Sequence, residues 1–277
     1  MIRRAYIPGR INILGEHTDY AGGCSLAFAS QHRLILEAEF IESGVFGEET
    51  VVALWSEAGG PPARLNVSSN IPIGKGMSSS AALCLGIVLC VHGDSLDRQD
   101  ACKEAQRLEH VVLGTPCGLL DQMTMMHSVE ECCTLIDFTN LETSTIPYPN
   151  TWKFKLVDSG IQRSLNSEDY RQTTSEMKKK LHVSEENARV NQALNSTNEQ
   201  LGELLNQTHE SLGMIGVSTP EVDSIVKSLQ SKQGVLGARM MGGGFGGMIL
   251  VLVENDGVLP QHPLLVPSKA GFIEELF

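Results

Sequence analysis

Residues 8–20 read PGRINILGEHTDY and gather an arginine, a glutamate, a histidine and an aspartate into one short segment. Each of these groups is costly to bury without a partner, so a segment with a purely structural role rarely collects all four. Arg10, Glu16, His17 and Asp19 can donate or accept hydrogen bonds at several angles. That capacity suits a ligand with many hydroxyls, a polyol or a sugar. A second stretch, residues 71–83, reads IPIGKGMSSSAAL. Gly74 and Gly76 permit backbone torsions and close approaches that other residues resist. Ser78, Ser79 and Ser80 then open an apolar helix whose free first-turn N–H groups, with the helix dipole, form an anion site. A triphosphate fits this chemistry, and so does an ordinary capped helix after a turn. The loop differs from GxxxxGK(S/T), because Lys75 sits between the glycines. A third stretch, residues 237–247, reads GARMMGGGFGG, and five of its last six residues are glycine. So many glycines are entropically costly to order. They imply a tight turn or a close backbone contact, the alternative being a flexible hinge.

These groups must be positioned by a larger frame. Arg33 to Phe40 and Val51 to Trp55 read as strands, with residues 42–50 as the turn between them. Ser78 to Val91 reads as a helix apolar on nearly every side and therefore buried. Asp97 caps a second helix to about Val112, with Ala101, Ala105, Leu108 and Val112 on one face. Gly118 to Ser128 reads as a third helix behind Pro116. Thr134 to Phe138 reads as a strand. The turn-rich residues 139–151 mark a candidate boundary between an N-terminal unit, 1–149, and a C-terminal unit, 150–277. The second unit begins with a strand at Phe154 to Val157. Ser184 to Leu194 and Leu201 to Ile215 read as amphipathic helices, and Pro220 opens another to about Leu229. Met248 to Val253 reads as a strand after the glycine cluster. Strands and helices mix across both halves with short connections, which points to an α+β fold in two lobes.

Composition bounds the function. A chain of 277 residues with 42% hydrophobic and 19% charged residues can bury a substantial core. A net charge of −12 argues against a nucleic-acid surface. Seven cysteines, an odd number without any CxxC pair, read as reduced thiols of a cytoplasmic protein. The N-terminal MIRRAYIPGR lacks the apolar run of a signal peptide, and residues 81–91 are too short to span a bilayer. Neither a membrane nor a nucleic acid is expected as a partner, and a monomer is expected.

Taken together and in this order, the three stretches resemble the three motifs of the GHMP kinase superfamily, and PGRINILGEHTDY resembles the signature of its galactokinases. The segments TPCGLLDQ (115–122), LHVSEENARV (181–190), LNQTHESL and VSTPEVD are similar to galactokinases as well. The likeness runs from about Arg4 to the C-terminus. It implies an N-terminal lobe like the second domain of ribosomal protein S5 and a ferredoxin-like C-terminal lobe, with the active site between them. It also implies transfer of the γ-phosphoryl group of ATP to the anomeric hydroxyl of α-D-galactose.

Carried onto this chain, the resemblance assigns sugar binding to Glu16, His17 and Asp19, helped by Gly118 and Tyr170. Gly74, Lys75, Gly76, Met77, Ser78, Ser79 and Ser80 would cradle the triphosphate. Ser80 and Glu109 would hold Mg²⁺. Asp121 would be the catalytic carboxylate, with Arg10 beside it. Phosphoryl transfer needs an in-line alcohol, a metal bridging phosphate oxygens and positive charge on the transferring group, and these residue types supply those parts. Asp121 lies near the amino end of its expected helix, where the dipole and Arg10 favour an ionised carboxylate.

The chain departs from the family in length. Little sequence precedes the first motif, residues 55–66 and 170–183 are contracted, and GMIG (213–216) stands where the family usually has a charged, tyrosine-containing stretch. Two other functions compete with a galactose kinase: a kinase for a related hexose, such as N-acetylgalactosamine or a uronic acid, and a non-catalytic galactose and ATP sensor. The intact Ser78-Ser79-Ser80-Ala81-Ala82 run and Asp121 favour catalysis. A mevalonate-type member would not be expected to carry Glu16-His17-Thr18-Asp19.

Overall fold

The computed structural model describes residues 1–72, 75–161 and 175–277. The chain opens with a long antiparallel pair, β1 (Ile2–Leu14) and β2 (Cys24–Phe40). The Pro8-Gly9 step does not bend β1 out of the sheet. It sits at a register shift between Pro8 and Arg10, a bulge that lets the strand continue. β2 is long enough to serve two further partners. Its second half pairs β4 (Ala63–Ser69), and its first four residues pair β5 (Cys132–Asp137). β3 (Val45–Phe46) and β6 (Glu142–Pro147) add at the edges.

The helix α2 (Ser79–His92) is apolar on almost all sides, and nine of its residues, from Ala81 to Cys90, are buried. It is covered by β1 and β2 on one side and by α3 (Arg98–Val111) and α4 (Leu120–His127) on the other. Each fully buried Leu or Ile there contributes on the order of 2 kcal/mol. Asp97 caps α3 by accepting from the Asp100 N–H at 2.8 Å.

The later part of the chain forms a three-stranded sheet in the order β7 (Phe154–Asp158), β9 (Met248–Val253), β8 (Val235–Met240). Three helices accompany it: α5 (Glu176–Ala193), α6 (Asn198–Met214) and α7 (Pro220–Gln230). Thr197 and Gln200 form a capping box on α6, and Thr219 with Pro220 starts α7. α6 lies against β8 at Gly202 and Gly237, where a Cβ on either residue would collide with the backbone opposite. Leu212, Val222, Val226, Met240, Ile249 and Val251 form a separate core between these helices and the sheet. The fold is mixed α+β, as expected.

Three local readings are corrected. Val51 to Trp55, expected as a strand from its β-branched and aromatic residues, lies in α1 (Glu49–Glu57). Glu48 caps that helix by accepting from the Thr50 and Val51 N–H groups, and Val51, Leu54 and Trp55 fall on one buried face. Residues 42–50, expected as a turn, contain β3 and the start of α1. The stretch 139–151 contains β6, an edge strand whose Pro147 stands at its end, where a missing N–H costs nothing. The chain ends in β10 (Phe272–Leu276), which pairs with β1 and so returns to the first sheet. Among the described residues no helix is long and apolar enough to cross a membrane.

Candidate active site

The segment joining β1 to β2 folds on itself because of a few local constraints. Gly15 takes φ +93°, and a Cβ there would collide with the Cys24 carbonyl. The Thr18 hydroxyl reaches the Gly15 carbonyl at 2.9 Å and the Cys24 carbonyl at 3.0 Å. The result is a tight loop that presents Glu16, His17 and Asp19 together.

α5 grips this loop from the second lobe. His182 Nε2 donates to the Glu16 carbonyl at 2.9 Å, and its Nδ1 meets Ser211 Oγ at 2.7 Å. Glu186, fully buried, accepts from the Gly15 N–H at 2.8 Å and from Thr208, and it pairs with Arg189 at 2.7 Å. Asn187 accepts from the Cys24 N–H at 2.7 Å.

Arg10 projects from β1 into the centre of the cluster. Its Nε lies 2.7 Å from Asp121 Oδ1, Nη2 3.2 Å from Glu16 Oε1, and Nη1 donates to the Gly76 carbonyl at 2.6 Å. Burial works against the charged guanidinium, but the carboxylates of Asp121, Glu16 and Asp19 more than offset it and raise its pKa. Glu16 is 2% exposed. Burial opposes its ionised form too, yet Arg239 first and Arg10 second hold its pKa down to about 2.

Asp19 stands in the opposite condition. Desolvation pushes its pKa up to about 6; the Leu120 N–H, donated at 3.2 Å, opposes this, while the nearby charges of Asp121 and Glu16 add to it. Gly118 packs directly on the Asp19 carboxylate, and a Cβ at 118 would overlap it. Gly118 and Asp121 flank the start of α4, so the loop carrying Glu16 and Asp19 and the catalytic-carboxylate candidate meet at one helix end.

The start of α2 faces the same cluster through Arg10 and Gly76. Ser78 takes the left-handed conformation at φ 61°, and its side chain makes no cap hydrogen bond. The first-turn amides of α2 therefore lack a side-chain acceptor from their own cap, as an anion site requires. Met77 contributes its backbone carbonyl, which accepts from the Arg10 N–H at 3.4 Å, while its side chain lies in the core.

Comparison with known proteins follows the same lines. The description "GHMP kinases N terminal domain" matches residues 46–128, "GHMP kinases C terminal" matches 190–260, and "Galactokinase galactose-binding signature" matches 5–39. A galactokinase of Thermotoga maritima is 34% identical over 309 aligned positions, covering 90% of this chain and 88% of that protein. The chain belongs to the galactokinase family of GHMP kinases. A galactokinase of Thermococcus kodakarensis is 29% identical, with 91% and 89% covered. The fold agrees with a Lactococcus lactis galactokinase solved with galactose, at TM-score 0.84, 22% identity, and 98% of this chain and 94% of that one covered. The 309 aligned positions exceed the 277 residues here, so this chain is shortened by internal gaps relative to its relatives.

The oxygen ligands expected for a divalent cation also converge. Glu109 on α3 is 2% exposed, and its carboxylate accepts from Gln122 Nε2 at 2.6 Å. Burial, with the Asp121 charge next, pushes its pKa up to about 7, against the hydrogen bonds of Ser80, Cys117 and Gln122. A buried carboxylate with so high a proton affinity, bonded to the Ser80 hydroxyl and close to Asp121, fits a small hard cation.

The glycine cluster packs closely against the backbone around it. Gly242, Gly244, Gly246 and Gly247 all take positive φ. A Cβ on Gly244 would collide with the Val217 carbonyl, and one on Gly246 would crowd the Ile161 carbonyl at 2.6 Å. The Met248 N–H then donates to the Lys75 carbonyl at 2.8 Å. Close backbone packing, the first of the two sequence readings, describes this segment.

The structure thus brings Arg10, Glu16, Asp19, Gly76, Gly118 and Asp121 into one constellation, with Ser80 and Glu109 beside it. His17, at φ 59°, turns toward Tyr20, whose hydroxyl lies 3.3 Å from Nδ1. The Lys75 ammonium pairs with Asp158 at 2.6 Å, across to β7. Ser79 is the first residue of α2. Tyr170 and Gly74 lie outside the described residues. Sequence reasoning passed over Arg239, which is wholly buried and reaches Glu16 Oε2 at 2.8 Å. The signal was a lone arginine in an otherwise apolar strand, VLGARM, where an unpaired charge is prohibitive. It also passed over the gripping roles of His182, Glu186 and Asn187.

Proposed function

We propose that this chain is an ATP-dependent galactose 1-kinase, transferring the γ-phosphoryl group to the anomeric hydroxyl of D-galactose. The observation that carries the reading is the placement of one buried guanidinium. Arg10 contacts Asp121, Glu16 of the sugar loop and the Gly76 carbonyl of the phosphate loop, so the three parts of the reaction share one group. The 34% identity to a galactokinase over 90% of the chain supports the same substrate.

In this reading Glu16, His17, Asp19 and Gly118 bind the sugar hydroxyls, with Tyr170. Asp121 accepts the proton of the attacking hydroxyl. Arg10 holds Asp121 and places positive charge beside the reacting centre. The amides of residues 74–80 receive the phosphate oxygens. Ser80 and Glu109 would hold Mg²⁺, which when bound supplies charge neutralisation for the phosphate oxygens. Lys75, paired with Asp158, ties the phosphate loop to the second lobe. The seven cysteines are all free thiols, which suits the reducing cytoplasm.

The test is ADP release coupled to a spectrophotometric readout, across galactose, N-acetylgalactosamine, galacturonate, glucose and mannose, with and without Mg²⁺. Galactose-dependent release that needs Mg²⁺ is expected. A preference for the N-acetylated or uronic sugar would move the substrate while keeping the chemistry. Binding of ATP and galactose without ADP release would make the chain a sensor and overturn the reading.

A further inference from the structure

Arg239 is among the largest fully buried side chains of the protein; it lies in the third stretch, 237–247, ahead of its glycines. It stands on β8, three positions before the glycine cluster, and reaches out of the second lobe into the first. Its Nε donates to the Ile13 carbonyl at 2.8 Å, Nη2 donates to the Asn12 carbonyl, and Nη1 reaches Glu16 Oε2 at 2.8 Å. Nη1 also meets the carbonyl of its own neighbour, Met240, at 2.8 Å. The guanidinium is thus spent almost entirely on the end of β1 and on the sugar loop.

What it holds is itself a holder. The other oxygen of Glu16 faces Arg10 Nη2 at 3.2 Å, and Arg10 Nε faces Asp121 at 2.7 Å. The links Arg239, Glu16, Arg10 and Asp121 form one buried chain of alternating charge from the second lobe to the carboxylate at the reacting centre. Planar, forked guanidinium groups transmit orientation through such pairs better than point charges do. Deleting one partner of a buried ion pair strands the other charge, whereas replacing both partners is often nearly neutral for stability.

We propose that Arg239 is a positioning residue for phosphoryl transfer: through Glu16 it holds the Arg10 guanidinium in register with Asp121 and the Gly76 carbonyl. The inference rests on the sugar-kinase reading above. Among the described residues, the groups that face Glu16 are Arg10 from β1, Arg239 from β8, His17 and Asp19 from its own loop, and His182 from α5 at its backbone carbonyl. Among the described residues, removing Arg239 leaves Arg10 as the only arginine on Glu16, with Asp19 still opposing its charge.

The experiment compares wild type, Arg239→Met, Arg239→Lys, Glu16→Gln and the Arg239→Met/Glu16→Gln double variant. Each is assayed for galactose and ATP kinetics between pH 5 and 9 and by thermal melting. Arg239→Met is expected to lower kcat by about 10- to 100-fold, the scale of a misplaced catalytic group, with the KM for ATP little changed. Arg239→Lys, which restores charge without the fork, should leave kcat low as well, again with the KM for ATP little changed. Adding Glu16→Gln to Arg239→Met should cost little further, because both break the same chain.

Wild-type kcat in Arg239→Met or Arg239→Lys, or additive losses in the double variant, would overturn the inference alone. If neither Arg239 variant folds, the residue is structural and the inference likewise fails. A wild type with no galactose-dependent ADP release would instead overturn the function itself, and this inference with it.

Discussion

Replacing Asp121 by asparagine separates chemistry from architecture at this site. The two side chains have nearly the same shape, so the change removes charge and proton-accepting capacity but little volume. The structural cost is small for reasons visible around Arg10. The Asp121 side chain is 24% exposed, and Arg10 retains Glu16 at 3.2 Å and the Gly76 carbonyl at 2.6 Å. The amide oxygen of asparagine can still face Arg10 Nε. The pair is largely buried, at 4% and 24% exposed, but the asparagine oxygen still offers Arg10 an acceptor, so the loss is on the order of 1 kcal/mol. Part of even that is returned, because the Asp121 charge is one of the causes that raise the pKa of Asp19. The kinetic cost is larger. Loss of a general base lowers kcat by about 10²- to 10⁴-fold, or roughly 2.7–5.5 kcal/mol in the barrier. The expected result is therefore a variant that melts near the wild-type temperature, keeps KM for galactose and ATP within about threefold, and turns over at least a hundredfold more slowly. Coupled ADP release at saturating substrates, with a melting curve on the same preparation, measures both. Turnover within about threefold of wild type would remove Asp121 from the proton transfer.

Three further outcomes follow from the geometry. Asp19, with its native pKa near 6 against an ordinary 3.8, is ionised at neutral pH in surroundings that resist it. The resulting penalty on the folded state is absent below about pH 4, grows as pH rises to 6, and reaches up to about 3 kcal/mol. Asp19→Asn should therefore melt above wild type at pH 7.5, the difference vanishing near pH 4, while galactose affinity falls; calorimetry showing a lower melting temperature at pH 7.5 counts against the assignment. Gly118→Ala, whose Cβ would occupy the space of the Asp19 carboxylate, should raise the KM for galactose at least about tenfold and leave that for ATP nearly unchanged, and equal shifts in both would contradict this. Gly244→Ala combines φ +102° with a collision against the Val217 backbone and should cost about 2 kcal/mol or more, seen as a fall of several degrees in Tm; an unchanged Tm would show that the glycine turn can relax.

What could be read along the chain alone was the local part of this design. Asp97 and Pro220 announced helix starts, because such signals act within three residues. The apolar α2, the three glycine- or acid-rich motifs and the α+β mixture were legible for the same reason, since periodicity and turn chemistry act over a few positions. Where local preference and tertiary packing disagreed, as at Val51 and Trp55, packing and a capping Glu48 decided for helix. The pairing of charges was beyond any local signal. Arg239 meets Glu16 across 223 positions, and Glu186 meets the Gly15 amide across 171. Gly118 is required only because folding lays the Asp19 carboxylate on it, and β10 finds β1 only at the end of the chain. The sequence by itself determined which chemical groups the site contains, because residue types and their short-range spacing are local properties. The tertiary structure alone decided which carboxylate is held ionised and which is pressed toward neutrality, because desolvation and Coulomb energy depend on what the fold brings within a few ångströms.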